Sequence, residues 1–140
     1  MPIKSEVIAN PKSERVRRVS ELADRKGRKR SGRFMVEGPQ SVRELLTWHP
    51  GLVEDLYVEV ESAQPDASFA TPDVAQMAGK AMQSGVYVHK VTHAVMHRMS
   101  VDAQGVLAVA DMQAFLDSSA VPDDFNGHAM VAVLAGSRSR

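Results

Sequence analysis

Apolar positions near the start of the chain recur three or four apart. Val16, Val19, Leu22 and Ala23 form one helical stripe, and Arg17, Arg18 and Arg25 fall off it. This spacing predicts a helix from Asn10-Pro11, a capping Asn followed by a Pro that needs no N–H partner, to Lys26. Gly27 then ends the helix and Arg28 to Gly32 forms a basic turn. Phe34-Met35-Val36 reads as a strand, and Glu37-Gly38-Pro39 leads straight into a helix that buries Val42, Leu45 and Leu46 and stops near His49-Pro50-Gly51. Leu56 to Val60 predicts a second strand, and the polar, Pro-containing stretch Glu61 to Ala70 a loop. Thr71 and Pro72 open a third helix with the stripe Val74, Met77, Ala78, Ala81 and Met82, ended by Gly85. Val86 to Val91 is a strand, Thr92 to Met99 a short capped helix, and Gly105 to Ala110 another strand.

Strands and helices alternate, and parallel neighbours need a crossover, for which a helix is the usual solution. The expected fold class is therefore α/β: a three-layer α/β/α sandwich with a mixed four- to five-stranded sheet. Residues 1–110 form the expected domain and 111–127, acidic and loop-like, a linker. Residues 128–140 hold the apolar run Ala129 to Ala135, which reads either as the cut-short start of a second domain or as an extra strand of the same sheet. A chain of 140 residues, 44% apolar and 24% charged, has room for one core and does not have the composition of a disordered or coiled-coil chain. With no cysteine, disulfides, thiolate metal sites and cysteine nucleophiles are excluded. No apolar stretch is long enough for a membrane span, and Met1 to Lys12 lacks the apolar centre of a signal peptide, so the expectation is a cytoplasmic protein without a membrane partner.

The formal net charge of zero conceals a division. Residues 1–33 carry eleven Lys and Arg against four Asp and Glu, a net of +7, and the remainder carries six against thirteen, a net of −7. Clustered cations gain free energy by displacing counterions condensed on phosphates, which points to a polyanion at this end. A solvated helix face would give the same count, so charge alone does not choose.

Read in order, Asn10-Pro11, Leu22-Ala23-Asp24-Arg25-Lys26-Gly27-Arg28, Gly32-Arg33-Phe34-Met35-Val36-Glu37-Gly38 and Gln104-Gly105-Val106-Leu107-Ala108-Val109 resemble the SpoU/TrmH (SPOUT) family of RNA 2'-O-ribose methyltransferases. The resemblance covers residues 8–110 and is to the N-terminal substrate-binding domain. It implies a fold similar to ribosomal proteins that bind kinked RNA. It further implies an RNA partner, ribosomal RNA first, and a catalytic domain of the same full-length protein that uses S-adenosylmethionine in a deep knot. The family's donor pocket, catalytic arginine and dimer interface belong to that domain. This chain alone is accordingly expected to be inactive, cofactor-free and monomeric, with no catalytic residue of its own. A free-standing kink-turn-type RNA-binding protein and a protein-interaction module are the alternatives.

The RNA-binding candidates are Lys12, Arg15, Arg18, Arg25, Lys26, Arg28, Lys29, Arg30 and Arg33. With seven aromatics in all, base stacking would fall to arginine, and recognition of RNA shape is favoured over sequence readout. A possible substrate-side loop joins Glu37 and Gly38, at the end of one strand, with Gln104 and Gly105, at the start of another. The competing reading there is structural, with Glu37 capping a helix and the glycines allowing tight turns. His93 and His97 have metal-ligand spacing with His89 on the preceding strand, but the general-base Glu and a clear third ligand are missing, so no metal is expected. No phosphate-binding Gly loop of the G-x-x-x-x-G-K-[ST] or G-x-G-x-x-G type occurs, and no nucleophile elbow surrounds any Ser.

Overall fold

The computed structural model describes residues 3–117. In order they form β1 (Ile3–Ile8), α1 (Glu14–Ser20), a 3₁₀ turn (Glu21–Ala23), α2 (Arg25–Ser31), β2 (Arg33–Glu37) and α3 (Pro39–Trp48). A second 3₁₀ turn (Pro50–Leu52) leads to β3 (Val53–Glu59), followed by α4 (Pro72–Gln83), β4 (Tyr87–Val91), α5 (His93–Met99), β5 (Val106–Asp111) and α6 (Met112–Asp117). The sheet order is β1-β4-β3-β5-β2. β1, β4 and β3 pair in parallel, while β5 runs antiparallel between β3 and β2. The carboxyl ends of β1 to β4 and the start of β5 therefore share one edge.

Side chains alternate across the pleat and divide the core in two. Phe34, Val36, Leu56, Val58, Val88, Val106 and Ala108 meet Val42, Leu45 and Leu46 of α3 and Val74, Met77 and Ala81 of α4. On the other face Met35, Tyr57, Val91, Leu107 and Val109 meet Val16 and Val19 of α1 and Val95, Met96 and Met99 of α5. This is the expected α/β/α sandwich, with a five-stranded mixed sheet.

Three elements differ from the sequence reading. The fifth strand is β1, in a segment for which the sequence predicts no element; it pairs Ile3 with Val88 and Ile8 with Val91 at the sheet edge. The linker does not begin at Asp111: α6 follows at once, the Asp111 carboxylate accepts the Ala114 N–H at 3.0 Å, and Phe115 packs edge-on against Phe34 with centroids 5.7 Å apart. The rest of the expected linker and the run Ala129 to Ala135 lie outside the described residues.

The third difference is in the basic segment. Asn10 does not cap a helix but accepts the Lys12 N–H in a turn, and Ser13 is the cap of α1 through the Val16 N–H. No continuous helix reaches Lys26. The backbone becomes extended at Asp24 (φ −114°, ψ 161°), whose carboxylate accepts the Gly27 N–H at 2.9 Å and starts α2. Gly27 is thus inside a helix, and Gly32, at φ +74°, is the residue that ends it. The expected Arg28 to Gly32 turn is helix for all but its last residue.

Candidate nucleic-acid interface

α2 is clamped to the 3₁₀ turn before it. A Cβ at Gly27 would lie 2.0 Å from the Glu21 carbonyl oxygen, so only glycine permits this approach. Arg28 is 7% exposed, and its guanidinium donates to the carbonyls of Leu22 (3.1 Å) and Ala23 (3.2 Å). These are the carbonyls a helix break leaves without partners. Arg28 therefore holds the bend together and does not face a phosphate, which corrects its place among the RNA-binding candidates.

The other cations fall into two groups. Glu14 is 2.6 Å from Arg18 and 3.6 Å from Arg17, Glu21 is 2.9 Å from Arg17 and 3.2 Å from Arg30, and Glu54 binds Arg33. Four arginines thus share three glutamates. Both side chains of the Arg18–Glu14 pair are more than half exposed, and such pairs contribute only about 0–1 kcal/mol each. Lys12, Arg25, Lys26 and Lys29 are exposed and make no ion pair with a described residue. Three of these lie on α2, at positions i, i+1 and i+4, so one rigid helix presents three unmatched charges.

Arg15, an exposed residue, donates through its guanidinium to the Tyr57 hydroxyl at 2.8 Å. Beside it, Asp55 Oδ1 lies 2.7 Å from His89 Nε2, the geometry of an imidazole N–H donating to a carboxylate, and the His89 ring stacks on Tyr57 with centroids 5.0 Å apart. Burial pushes the Asp55 carboxyl up, but the His89 hydrogen bond and the charges of Arg15 and Arg33 outweigh it and hold the group below the usual carboxylate value. Burial likewise pushes the Tyr57 phenol up, only partly opposed by Arg15. Arg15, Asp55 and Tyr57 of this cluster line a groove of about 780 Å³ between α1, α2 and the amino ends of β2 and β3. Sequence reasoning missed it, since its members are 34 and 42 residues apart; the alternation in β3 that puts Asp55 and Tyr57 on one face was the available signal.

Glu37, Gly38, Gln104 and Gly105 do converge at the carboxyl edge of the sheet. Gly38 N–H donates to the Val106 carbonyl at 3.0 Å, and the Gly105 carbonyl accepts from Glu59 N–H at 2.9 Å. Glu37 accepts the Ser100 hydroxyl and does not cap α3. Gln104 and Gly105 both have positive φ, and a Cβ at Gly105 would meet Val74 Cγ2 at 2.8 Å, so this glycine serves the turn and the packing. At the same edge His93 Nδ1 lies 3.0 Å from Glu59, with the His97 ring 6.1 Å away, while His89 belongs to the Asp55 cluster; the three histidines do not converge.

Residues 13–108 match the MRM3-like substrate binding domain family. No curated protein is similar enough to match. Among solved structures, one called RNA 2'-O ribose methyltransferase aligns with a TM-score of 0.58 at 23% identity, over 75% of this chain and 37% of its own. An rRNA methyltransferase from Sinorhizobium meliloti aligns with a TM-score of 0.56 at 21% identity, over 79% of this chain and 38% of its own. At these identities the likeness is one of fold, and the chain spans little more than a third of the length of either structure. Because the family match covers the capped basic segment, strands β2 to β4, the start of β5 and helices α1 to α5, the chain belongs to the MRM3-like substrate binding domain family, the SpoU/TrmH-type domain expected from its motifs.

Proposed function

We propose that this domain binds structured RNA, ribosomal RNA in particular, and positions it for 2'-O-ribose methylation by a catalytic domain of the same full-length protein. The observation that carries the reading is the outer face of α2, where Arg25, Lys26 and Lys29 stand clear of every described carboxylate on a helix anchored from beneath by Gly27 and Arg28. An anchored helix loses little freedom when phosphates bind, so more of each contact is retained as affinity. The names of the structures sharing this fold support the same reading.

S-adenosylmethionine is the expected methyl donor of the full-length enzyme, but the described residues do not fit it. Its adenine offers the Asp55 carboxylate an amino group without an adjacent ring N–H, and its cationic sulfonium would face the arginines that line the same groove. No chemical step is therefore assigned to this domain; its role is to hold RNA, as a monomer in the cytoplasm. Among the described residues no helix is long and apolar enough to cross a membrane.

The test is fluorescence anisotropy with a structured rRNA fragment across a salt series. Each phosphate contact contributes a slope of about −0.7 to −0.9 in log K against log salt, so R25A/K26A/K29A should flatten the slope by roughly 2–3. An unchanged slope and affinity would remove α2 as the RNA contact. Binding by an unrelated duplex with equal strength would leave a general polyanion binder.

A further inference from the structure

We propose that the groove between α1, α2 and the amino ends of β2 and β3 receives an unpaired guanine base of the bound RNA, with the Asp55 carboxylate accepting its ring and amino N–H protons. The inference rests on the RNA reading above and adds a base to it.

The groove, about 780 Å³, lies within the range of small-molecule sites and is large enough for one nucleotide. Val19, Leu22 and Val109 supply apolar wall, and Arg15 and Arg33 flank the carboxylate of Asp55. The chemistry of the floor selects the ligand. Phosphate belongs on cations and is repelled by Asp55 and Glu54, so the backbone of a bound nucleotide stays at the rim. Arg18 and Arg30 line that rim in ion pairs whose arginines are 70% and 60% exposed, weak enough to exchange Glu14 and Glu21 for phosphate.

The group that enters must offer hydrogen-bond donors. One oxygen of Asp55 is taken by His89, yet the Asp55 side chain remains 28% exposed and no other described residue makes a hydrogen bond to it. An ionised carboxylate only accepts, with room for about four hydrogen bonds. Guanine presents a ring N–H and an amino N–H side by side, matching a carboxylate edge. Adenine and cytosine offer an amino group without the adjacent ring N–H, and uracil a ring N–H between two carbonyls that face the carboxylate unfavourably. Arginine planes on the groove wall, Arg15 among them, provide the stacking surface that the scarce aromatics do not.

The experiment measures binding of labelled uridine hexamers carrying one central G, A, C or U. A well-formed bidentate contact discriminates by about 1–3 kcal/mol, so the G oligomer should bind roughly tenfold tighter than the U oligomer. Asp55→Asn, which turns an amide N–H toward the guanine donors, should cut that ratio to below twofold. R25A/K26A/K29A should weaken all four oligomers and preserve the ratio. Should Asp55→Asn fail to fold, Asp55→Glu, which displaces the carboxylate by one methylene, provides the second variant, and the wild-type comparison needs none. Equal binding of the four oligomers would overturn the guanine site and leave the RNA reading intact. Failure of any RNA to bind would overturn both.

Discussion

Replacing Gly27 with Ala should destabilise the domain even though the site is inside a helix, where the exchange ordinarily helps. Relief of glycine's backbone entropy favours Ala by about 1 kcal/mol in a helix interior. Against this, the new Cβ would sit 2.0 Å from the Glu21 carbonyl oxygen and 2.7 Å from its carbonyl carbon. Ordinary heavy-atom contact begins at about 3.5 Å, so α2 must retreat by roughly 1 Å or more, and the obstruction is backbone with no rotamer to yield. Overpacking of this kind costs about 1–3 kcal/mol, at the upper end here because retreat also stretches the Arg28 bonds to Leu22 and Ala23. The net expectation is a loss of about 1–2 kcal/mol, or roughly 3–8 °C in Tm for a domain of this size. Gly79 in α4 provides the control: a Cβ there meets nothing within 4 Å, so Gly79→Ala should gain about 0.5–1 kcal/mol. Urea unfolding of both variants reads the difference directly. If Gly27→Ala were as stable as Gly79→Ala, the close approach of α2 to the 3₁₀ turn would be wrong, and with it the account of α2 as an anchored platform.

Arg28→Ala removes two charged hydrogen bonds and leaves the carbonyls of Leu22 and Ala23 unmatched, so chemical denaturation should show a loss of about 2–3 kcal/mol; Arg28→Lys, without the planar fork, should restore little of it. Arg17→Ala breaks only exposed pairs with Glu14 and Glu21 and should cost no more than about 0.5 kcal/mol in the same assay. Asp55 has a folded-state pKa below its ordinary 3.8, so its contribution is fully present above that value and is lost as pH falls through the folded one. Wild type should therefore lose stability below about pH 4 more steeply than Asp55→Asn, the two curves running parallel above about pH 5, as urea midpoints across acid pH will show.

Much of this domain was readable as a string. α3, α4 and α5 stand where the three-and-four spacing and the caps Thr71 and Thr92 placed them, and β2 to β5 follow the apolar runs. Those signals are local, carried by residues within one or two turns of each other, and local order is what periodicity records. The opposed charges of the two parts were equally plain. The break at Asp24 was legible in principle, since an Asp three residues ahead of a helical amide is a cap, but a run of good helix formers on either side masked it. Tertiary structure alone decided the rest. β1 has too little alternation to declare itself and exists because β4 offers it an edge. α6 is held by Phe34, a residue 81 positions before Phe115. The fate of each cation depended on carboxylates brought near by folding: Arg33 meets Glu54, Arg30 meets Glu21, and Arg25, Lys26 and Lys29 meet none that is described. Counting charges gives the total field of a segment, but which charges remain for a ligand is a matter of distances of a few ångströms across chain separations that no local pattern encodes.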